Sequence, residues 1–248
     1  AAHAHDDRRR AVFLQAVNVS DHCLRTNAYC YKKLGIGFRL DPHYLDFVAG
    51  FDRKSKFPEV PFSVYFVRGG SYTGMQVRFR DLARGGMRTV VTWDLEHEKY
   101  ERPNMFTECY NLAYTQQKKN KDIPEGGSKS ILFLNANTEL AAEMDLARRE
   151  MLAAGTPAAE VDAAIAKLSK ELSLEYMYYN QRCFLTTFLS MFVWDFEAKK
   201  LKHLDNVIDY LNIPEYLYLG PDENFHDSMI QWLAAKAVAM GYYSGGAF

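Results

Sequence analysis

The sequence predicts an α/β fold: a mixed sheet flanked by helices, with an inserted helical segment. Three observations predict it. Met75, Val77 and Phe79 alternate with Gln76, Arg78 and Arg80, the period of a half-buried strand. Ile131-Leu132-Phe133-Leu134 is short and wholly apolar, as expected inside a sheet. Phe106, Tyr110, Ala113 and Gln117 instead share one face at helical spacing.

The elements follow in order. The apolar opening, Ala11 to Val19, reads as a strand, and Asp41-Pro42 starts a short helix ending near Gly50. Phe62 to Val67 is an aromatic, β-branched strand that ends at Gly69-Gly70, and a second strand resumes at Tyr72; a Gly-containing loop between such runs favours an antiparallel hairpin. Thr89 to Trp93 is a third strand, after Arg84-Gly85-Gly86. A helix from Asn104 to Lys119 is stopped by Asp122-Ile123-Pro124, because proline disfavours helical geometry in the residue before it. Thr138-Glu139-Leu140 and Thr156-Pro157 read as helix starts. With Val161, Ile165, Leu168 and Leu172 at helical spacing, they predict a helical hairpin turned at Gly155. Leu185 to Phe196 is apolar enough to be buried. Tyr216 to Leu219 is a short strand entering an acidic turn, Gly220-Pro221-Asp222-Glu223-Asn224, and a last helix runs from Phe225 to Met240 with Met229, Ile230, Leu233, Ala237 and Met240 inward.

Composition narrows the function classes. With 248 residues, 48% apolar and 25% charged, the chain reads as a globular protein of one or two domains. A formal net charge of −1 gives no global attraction to nucleic acid or anionic membrane, so neither is expected as a partner and anion binding must be local. No run reaches the roughly 18 apolar residues that span a bilayer. The start, Ala1-Ala2-His3-Ala4-His5-Asp6-Asp7-Arg8-Arg9-Arg10, has no apolar signal-peptide core and reads as a frayed end or a cut through a longer chain. Cys23, Cys30, Cys109 and Cys183 lack C-x-x-C spacing, which favours a reduced intracellular protein over a disulfide scaffold. The seven histidines have no metal-ligand spacing, and no metal site is expected.

The candidate chemistry centres on Pro124-Glu125-Gly126-Gly127-Ser128-Lys129. The Gly-Gly pair lets backbone approach a small ligand, and a lysine at the mouth of a buried strand is partly desolvated, which lowers its pKa towards the range of proton transfer. Two further cationic stations lie upstream, Arg84 before Gly85-Gly86 and Lys119 in Gln116-Gln117-Lys118-Lys119-Asn120; Asp222 lies far downstream. Each has a plain structural reading alone. Arg84 fits a tight turn with a solvated side chain, the lysines fit a helix C-terminus complementing its dipole, and Asp222 fits a helix N-terminus. Together they describe a pocket for a small dianion with a paired acid and base.

Three blocks in order resemble the glutamate dehydrogenase family, specifically its large NAD-dependent class: Val77 to Arg88, Tyr110 to Lys129, and Tyr218 to Asn224. The resemblance covers residues 60–248 and implies an amino-acid dehydrogenase N-terminal-like domain for substrate binding and oligomerisation. It implies that Arg84 holds one substrate carboxylate, that Lys119 anchors the other with Gln116 one turn earlier, and that Gly85 and Gly86 line the pocket. Lys129 would be the catalytic lysine and Asp222 the catalytic aspartate. The implied reaction is oxidative deamination of L-glutamate to 2-oxoglutarate and ammonia, with hydride passing to NAD. Lys129 would polarise the carbonyl and activate water, while Asp222 shuttles protons to and from the amine nitrogen.

Departures from the family pattern refine these expectations. Arg84 replaces the usual lysine and offers a two-pronged grip. Ser130 replaces a glycine after the catalytic lysine, implying a tighter backbone approach there. A short spacing to Lys129 leaves Lys118 and Lys121 open as anchors beside Lys119. Residues 138–196 read as a class-specific insertion at a subunit interface. No G-x-G-x-x-G followed by helix occurs, and the chain stops at Tyr243-Ser244-Gly245-Gly246-Ala247-Phe248, so NAD is expected to be held mainly by a missing Rossmann domain and this part to be inactive alone. A homo-oligomer in cytoplasm or mitochondria is the implied setting. A non-catalytic assembly or amino-acid-sensing module of the same fold is the alternative. A dehydrogenase for apolar amino acids is disfavoured, because it would leave Arg84 unpaired.

Overall fold

The computed structural model describes residues 2–48, 52–202 and 207–242. Along the chain, α1 (Ala2–Asp21) leads to β1 (Cys23–Thr26) and β2 (Ile36–Leu40), a 3-10 turn (Pro42–Phe47) and α2 (Arg53–Lys56). Strands β3 (Ser63–Arg68), β4 (Tyr72–Arg78) and β5 (Leu82–Val91) precede α3 (Leu95–Glu101), α4 (Met105–Lys118) and β6 (Gly126–Leu134). Then come α5 (Thr138–Ala153), α6 (Ala158–Ser190), the short pairs β7 (Trp194–Asp195) and β8 (Lys200–Leu201), β9 (Ile208–Asp209), β10 (Tyr216–Glu223) and α7 (Asp227–Met240). Among the described residues, eight strands make one mixed sheet in the order β10-β5-β6-β4-β3-β2-β1-β9. The pairs β10–β5 and β5–β6 are parallel, and the rest antiparallel. The α/β expectation and the β3–β4 hairpin stand.

Two apolar layers sandwich the sheet. One face packs Tyr65, Ala83, Met87, Leu132 and Leu134 against Phe184, Phe188 and Leu233 of α6 and α7. The other packs Val64, Val77, Ile131 and Phe133 against Met105, Cys109 and Ala113 of α4. This double cover corrects the half-buried reading of residues 75–80: Gln76 and Arg78 are buried as fully as Val77. Alternation in β4 marks which face is polar, and that face is covered too.

Strands also run longer than expected. Arg84-Gly85-Gly86 lies inside β5, Gly126 to Lys129 inside β6, and Gly220-Pro221-Asp222 inside β10 rather than in a turn. At Gly127 a Cβ would sit 2.1 Å from the Gln117 nitrogen, so glycine lets the α4 backbone rest directly on β6. The segment Ala11 to Val19 is helix, not strand; Ala, Arg, Leu and Gln around it are good helix formers, and Val12, Phe13, Leu14 and Val17 stay exposed. The helix from 105 stops at Lys118, four residues before Asp122.

The helical hairpin turns at Gly155, whose φ of 85° is left-handed and suits glycine. Residues 138–196 divide in two: α5 packs on the first half of α6, while Met177 to Val193 supplies the sheet's apolar layer. Met229, Leu233, Ala237 and Met240 of α7 are buried and Ile230 partly so. The helix end expected near Gly50, the side chains of His3 and His5, and Tyr243 to Phe248 lie outside the described residues.

Candidate active site

The parallel ribbon β10–β5–β6 carries the candidate residues. In its register Gly86 of β5 stands beside Lys129 of β6 and Gly220 of β10. Lys129 shares its face with Ile131 and Phe133, the face that α4 covers over β6 and β4. The same face over β5 and β10 is open, leaving a shelf on which Arg84, Gly220 and Asp222 are exposed. Ser130, one residue on, takes the opposite face, so its replacement of glycine does not press on the shelf.

Asp222 reaches Lys129 through a local irregularity. The β10–β5 register shifts between Pro221, opposite Met87, and Glu223, opposite Arg88, so Asp222 is the extra residue of a bulge. Its Oδ2 accepts a hydrogen bond from Lys129 Nζ at 2.7 Å, with the lysine side chain 8% exposed and the aspartate 50%. Asp222 Oδ1 accepts the Glu223 N–H at 2.9 Å. The pair passes directly over Gly86, where a Cβ would lie 2.1 Å from Asp222 Oδ2 and 2.6 Å from Lys129 Nζ. Only a residue without a side chain admits this contact. Beneath it, the Cys109 thiol donates to the Lys129 carbonyl at 3.3 Å, and burial pushes that thiol's pKa up to about 12, which keeps it a neutral donor.

The segment after Asp222 is tied down. Glu223 pairs with Arg88 at 3.2 Å, and Arg88 also pairs with Glu108 of α4. Asn224 Nδ2 donates to the Thr89 carbonyl at 2.8 Å, and the Asn224 carbonyl accepts from Gln181 Nε2 of α6 at 2.7 Å.

The cations are distributed unevenly. Arg84 is 59% exposed and its Nη2 pairs with Glu125 at 2.8 Å. Lys121 Nζ lies 3.3 Å from the same carboxylate, so Arg84 and Lys121 converge. Lys118 turns to Glu59 at 2.8 Å and to the Tyr114 ring. Lys119 is the exposed C-cap of α4, and Gln116 is partly buried on its last turn. Gln117, its neighbour, accepts the Gly127 N–H at 2.7 Å. Sequence reasoning passed over Glu125 and Gln117; the i,i+4 spacing of Lys121 and Glu125 was the signal for the first.

A second charged cluster had no sequence signal. Glu215, just before β10, is buried among Arg25, Arg39, Arg78 and the Tyr65 hydroxyl. Asp209 adds a second carboxylate to Arg25 at 2.9 Å. Burial raises the Glu215 pKa, but the attraction of Arg78, Arg39 and Arg25 and the Tyr65 hydrogen bond outweigh it and hold the carboxyl below its ordinary value.

Two hollows of about 620 and about 330 Å³ lie elsewhere, beside Thr187 and Met240 and beside Asn135 and Tyr176 respectively. Neither includes Lys129 or Asp222, whose setting is an open shelf. A dinucleotide pyrophosphate needs a Gly-rich turn between a strand and a helix N-terminus. Gly85-Gly86 and Gly126-Gly127 are both within strands, so among the described residues they do not fit that group. No cluster of three or more His, Cys, Asp or Glu among the described residues is placed to hold a metal, and no described helix is long and apolar enough to cross a membrane.

No protein-family model matches the chain. Curated relatives do. Glutamate dehydrogenase 2 of Dictyostelium discoideum is 29% identical over 237 residues, covering 96% of this chain and 18% of that protein. The NAD-specific glutamate dehydrogenase of Saccharomyces cerevisiae is 40% identical over 131 residues, covering 52% of this chain and 11% of its own length. That of Neurospora crassa is 29% identical over 218 residues, with 88% and 16% covered. The chain thus spans less than a fifth of the length of these relatives. Similarity that runs along nearly the whole chain, to several enzymes of one kind, defines the resemblance: the chain is similar to one segment of glutamate dehydrogenases, three of the four relatives being NAD-specific by name.

Proposed function

We propose that this chain supplies the glutamate-binding and proton-transfer residues of an NAD-dependent glutamate dehydrogenase, which converts L-glutamate to 2-oxoglutarate and ammonia. The observation that carries the reading is the 2.7 Å contact between Lys129 and Asp222 on an open shelf. Arg84 supports it by position. It lies two residues from Gly86 on the same strand face, about 7 Å along β5, so its long side chain can meet the far carboxylate of a five-carbon diacid whose reacting carbon sits at Lys129. Arg84 takes the side-chain carboxylate, and Lys119, with Gln116, takes the other from the end of α4.

In this reading Lys129 hydrogen-bonds the oxygen of the water that adds to the imine carbon, and stabilises negative charge on that oxygen as ammonia leaves and it becomes the 2-oxo group. Asp222 takes the proton from the substrate's ammonium so that its nitrogen lone pair is available, and returns it when ammonia leaves. The half-exposed aspartate exchanges protons with water, while the buried lysine is held in place by β6. Hydride acceptance is the chemistry NAD supplies when bound; the Gly-Gly segments here hold no pyrophosphate, and the hydride step is not assigned to this chain's residues.

Calorimetric titration with 2-oxoglutarate and L-glutamate tests the reading. The chain should bind 2-oxoglutarate weakly, and Lys129→Ala or Arg84→Gln should each remove the signal. Equal binding in wild type and both variants would reject the site.

Assembly into a homo-oligomer belongs to the same proposal. Its support is the exposed apolar set Val12, Phe13, Leu14 and Val17 on α1, a grouping that usually marks an interaction surface.

A further inference from the structure

Glu125 has no role in the scheme above, yet it occupies the residue the scheme depends on. Its side chain is almost wholly buried, and its Oε1 takes both Arg84 Nη2 at 2.8 Å and Lys121 Nζ at 3.3 Å. The carboxylate is held at the first residue before β6, where its own N–H donates to the Ile123 carbonyl at 2.8 Å. Two cations therefore share one internal anion. Arg84 remains 59% exposed, so a carboxylate arriving from solution can approach the same guanidinium. Arg84 is not left unpaired by a substrate with an apolar tail, because Glu125 already holds it.

We propose that Glu125 is an internal carboxylate that competes with the substrate's side-chain carboxylate for Arg84, and so sets how strongly the site prefers dianionic over monoanionic 2-oxo acids. The inference rests on the glutamate-site reading above. A monoanion binds with the Arg84–Glu125 pair intact and gains nothing from it. A diacid draws the guanidinium towards itself, while Lys121, four residues from Glu125, keeps the buried carboxylate compensated. Part of the diacid's binding energy is consumed in this exchange, which moderates affinity and keeps product release possible.

The test is calorimetry on the chain with 2-oxoglutarate and with 2-oxobutyrate, a shorter acid that lacks the second carboxylate. Glu125→Gln should tighten 2-oxoglutarate by roughly three- to tenfold, the effect of one charge in a partly screened site, and leave 2-oxobutyrate unchanged. Glu125→Asp keeps the charge near Lys121 but shortens the reach to Arg84, and should give an intermediate gain; it carries the test if the Gln variant does not fold. Unchanged or weaker 2-oxoglutarate binding in the folded variants, with wild type binding normally, overturns the proposal and leaves the site reading intact. Equal tightening of both acids overturns it as well, because the gain would then be general electrostatics. No binding of 2-oxoglutarate by wild type overturns both.

Discussion

Lys129 and Asp222, 93 residues apart in sequence, meet at 2.7 Å across the bare backbone of Gly86. Three neighbouring strands contribute one residue each, and the middle one contributes only the absence of a side chain. Gly86→Ala should therefore separate lysine from aspartate, since the added methyl would overlap both side-chain ends. We expect 2-oxoglutarate affinity to fall more than about tenfold, with little change in urea unfolding, because the atoms that must move are the ends of two flexible side chains. Wild-type affinity in the alanine variant would show that the contact is not needed.

Glu215 anchors the start of the strand that carries Asp222. Removing its charge leaves Arg25, Arg39 and Arg78 buried with too little counter-charge. Glu215→Gln should destabilise the chain by about 3–5 kcal/mol, read from the midpoint of chemical denaturation. A loss under about 1 kcal/mol would mean that the arginines find other partners.

The same residue sets an acid limit on stability. Its folded pKa is depressed, so its contribution is complete above the unfolded value, about 4.3, and is lost as pH falls through the lower folded value. Unfolding free energy should drop below about pH 4, and less steeply in a folded Glu215→Gln variant. Identical acid slopes in the two proteins would contradict the assignment.

Phe184 locks α6 onto the sheet, stacking with Phe188, meeting Tyr72 edge-on and pressing on Gly74. Phe184→Ala should cost about 3–5 kcal/mol in thermal or chemical unfolding. Because the aromatic lies on the face opposite Lys129, ligand affinity in the folded fraction should be unchanged.

Local pattern in the sequence determined the β3–β4 hairpin, the helices over 105–118 and 227–240, the turn at Gly155 and the apolar interior of β6, because each depends on residues a few positions apart. It also supplied the ordered blocks around Arg84, Lys129 and Asp222. What periodicity could not separate was a strand with one covered face from a strand with two, so Gln76 and Arg78 read as half-exposed. Nor did the apolar run from Ala11 to Val19 distinguish an exposed helix from a strand.

Only the tertiary structure decided which charges meet. Glu215 with its three arginines, and Glu125 between Arg84 and Lys121, follow from strand order and register. So does the bulge that turns Asp222 over Gly86. The physical reason is range: hydrophobic alternation is set by neighbours along the chain, whereas an ion pair across a sheet depends on which strands lie side by side, and that is settled when the two faces of the sheet are buried together.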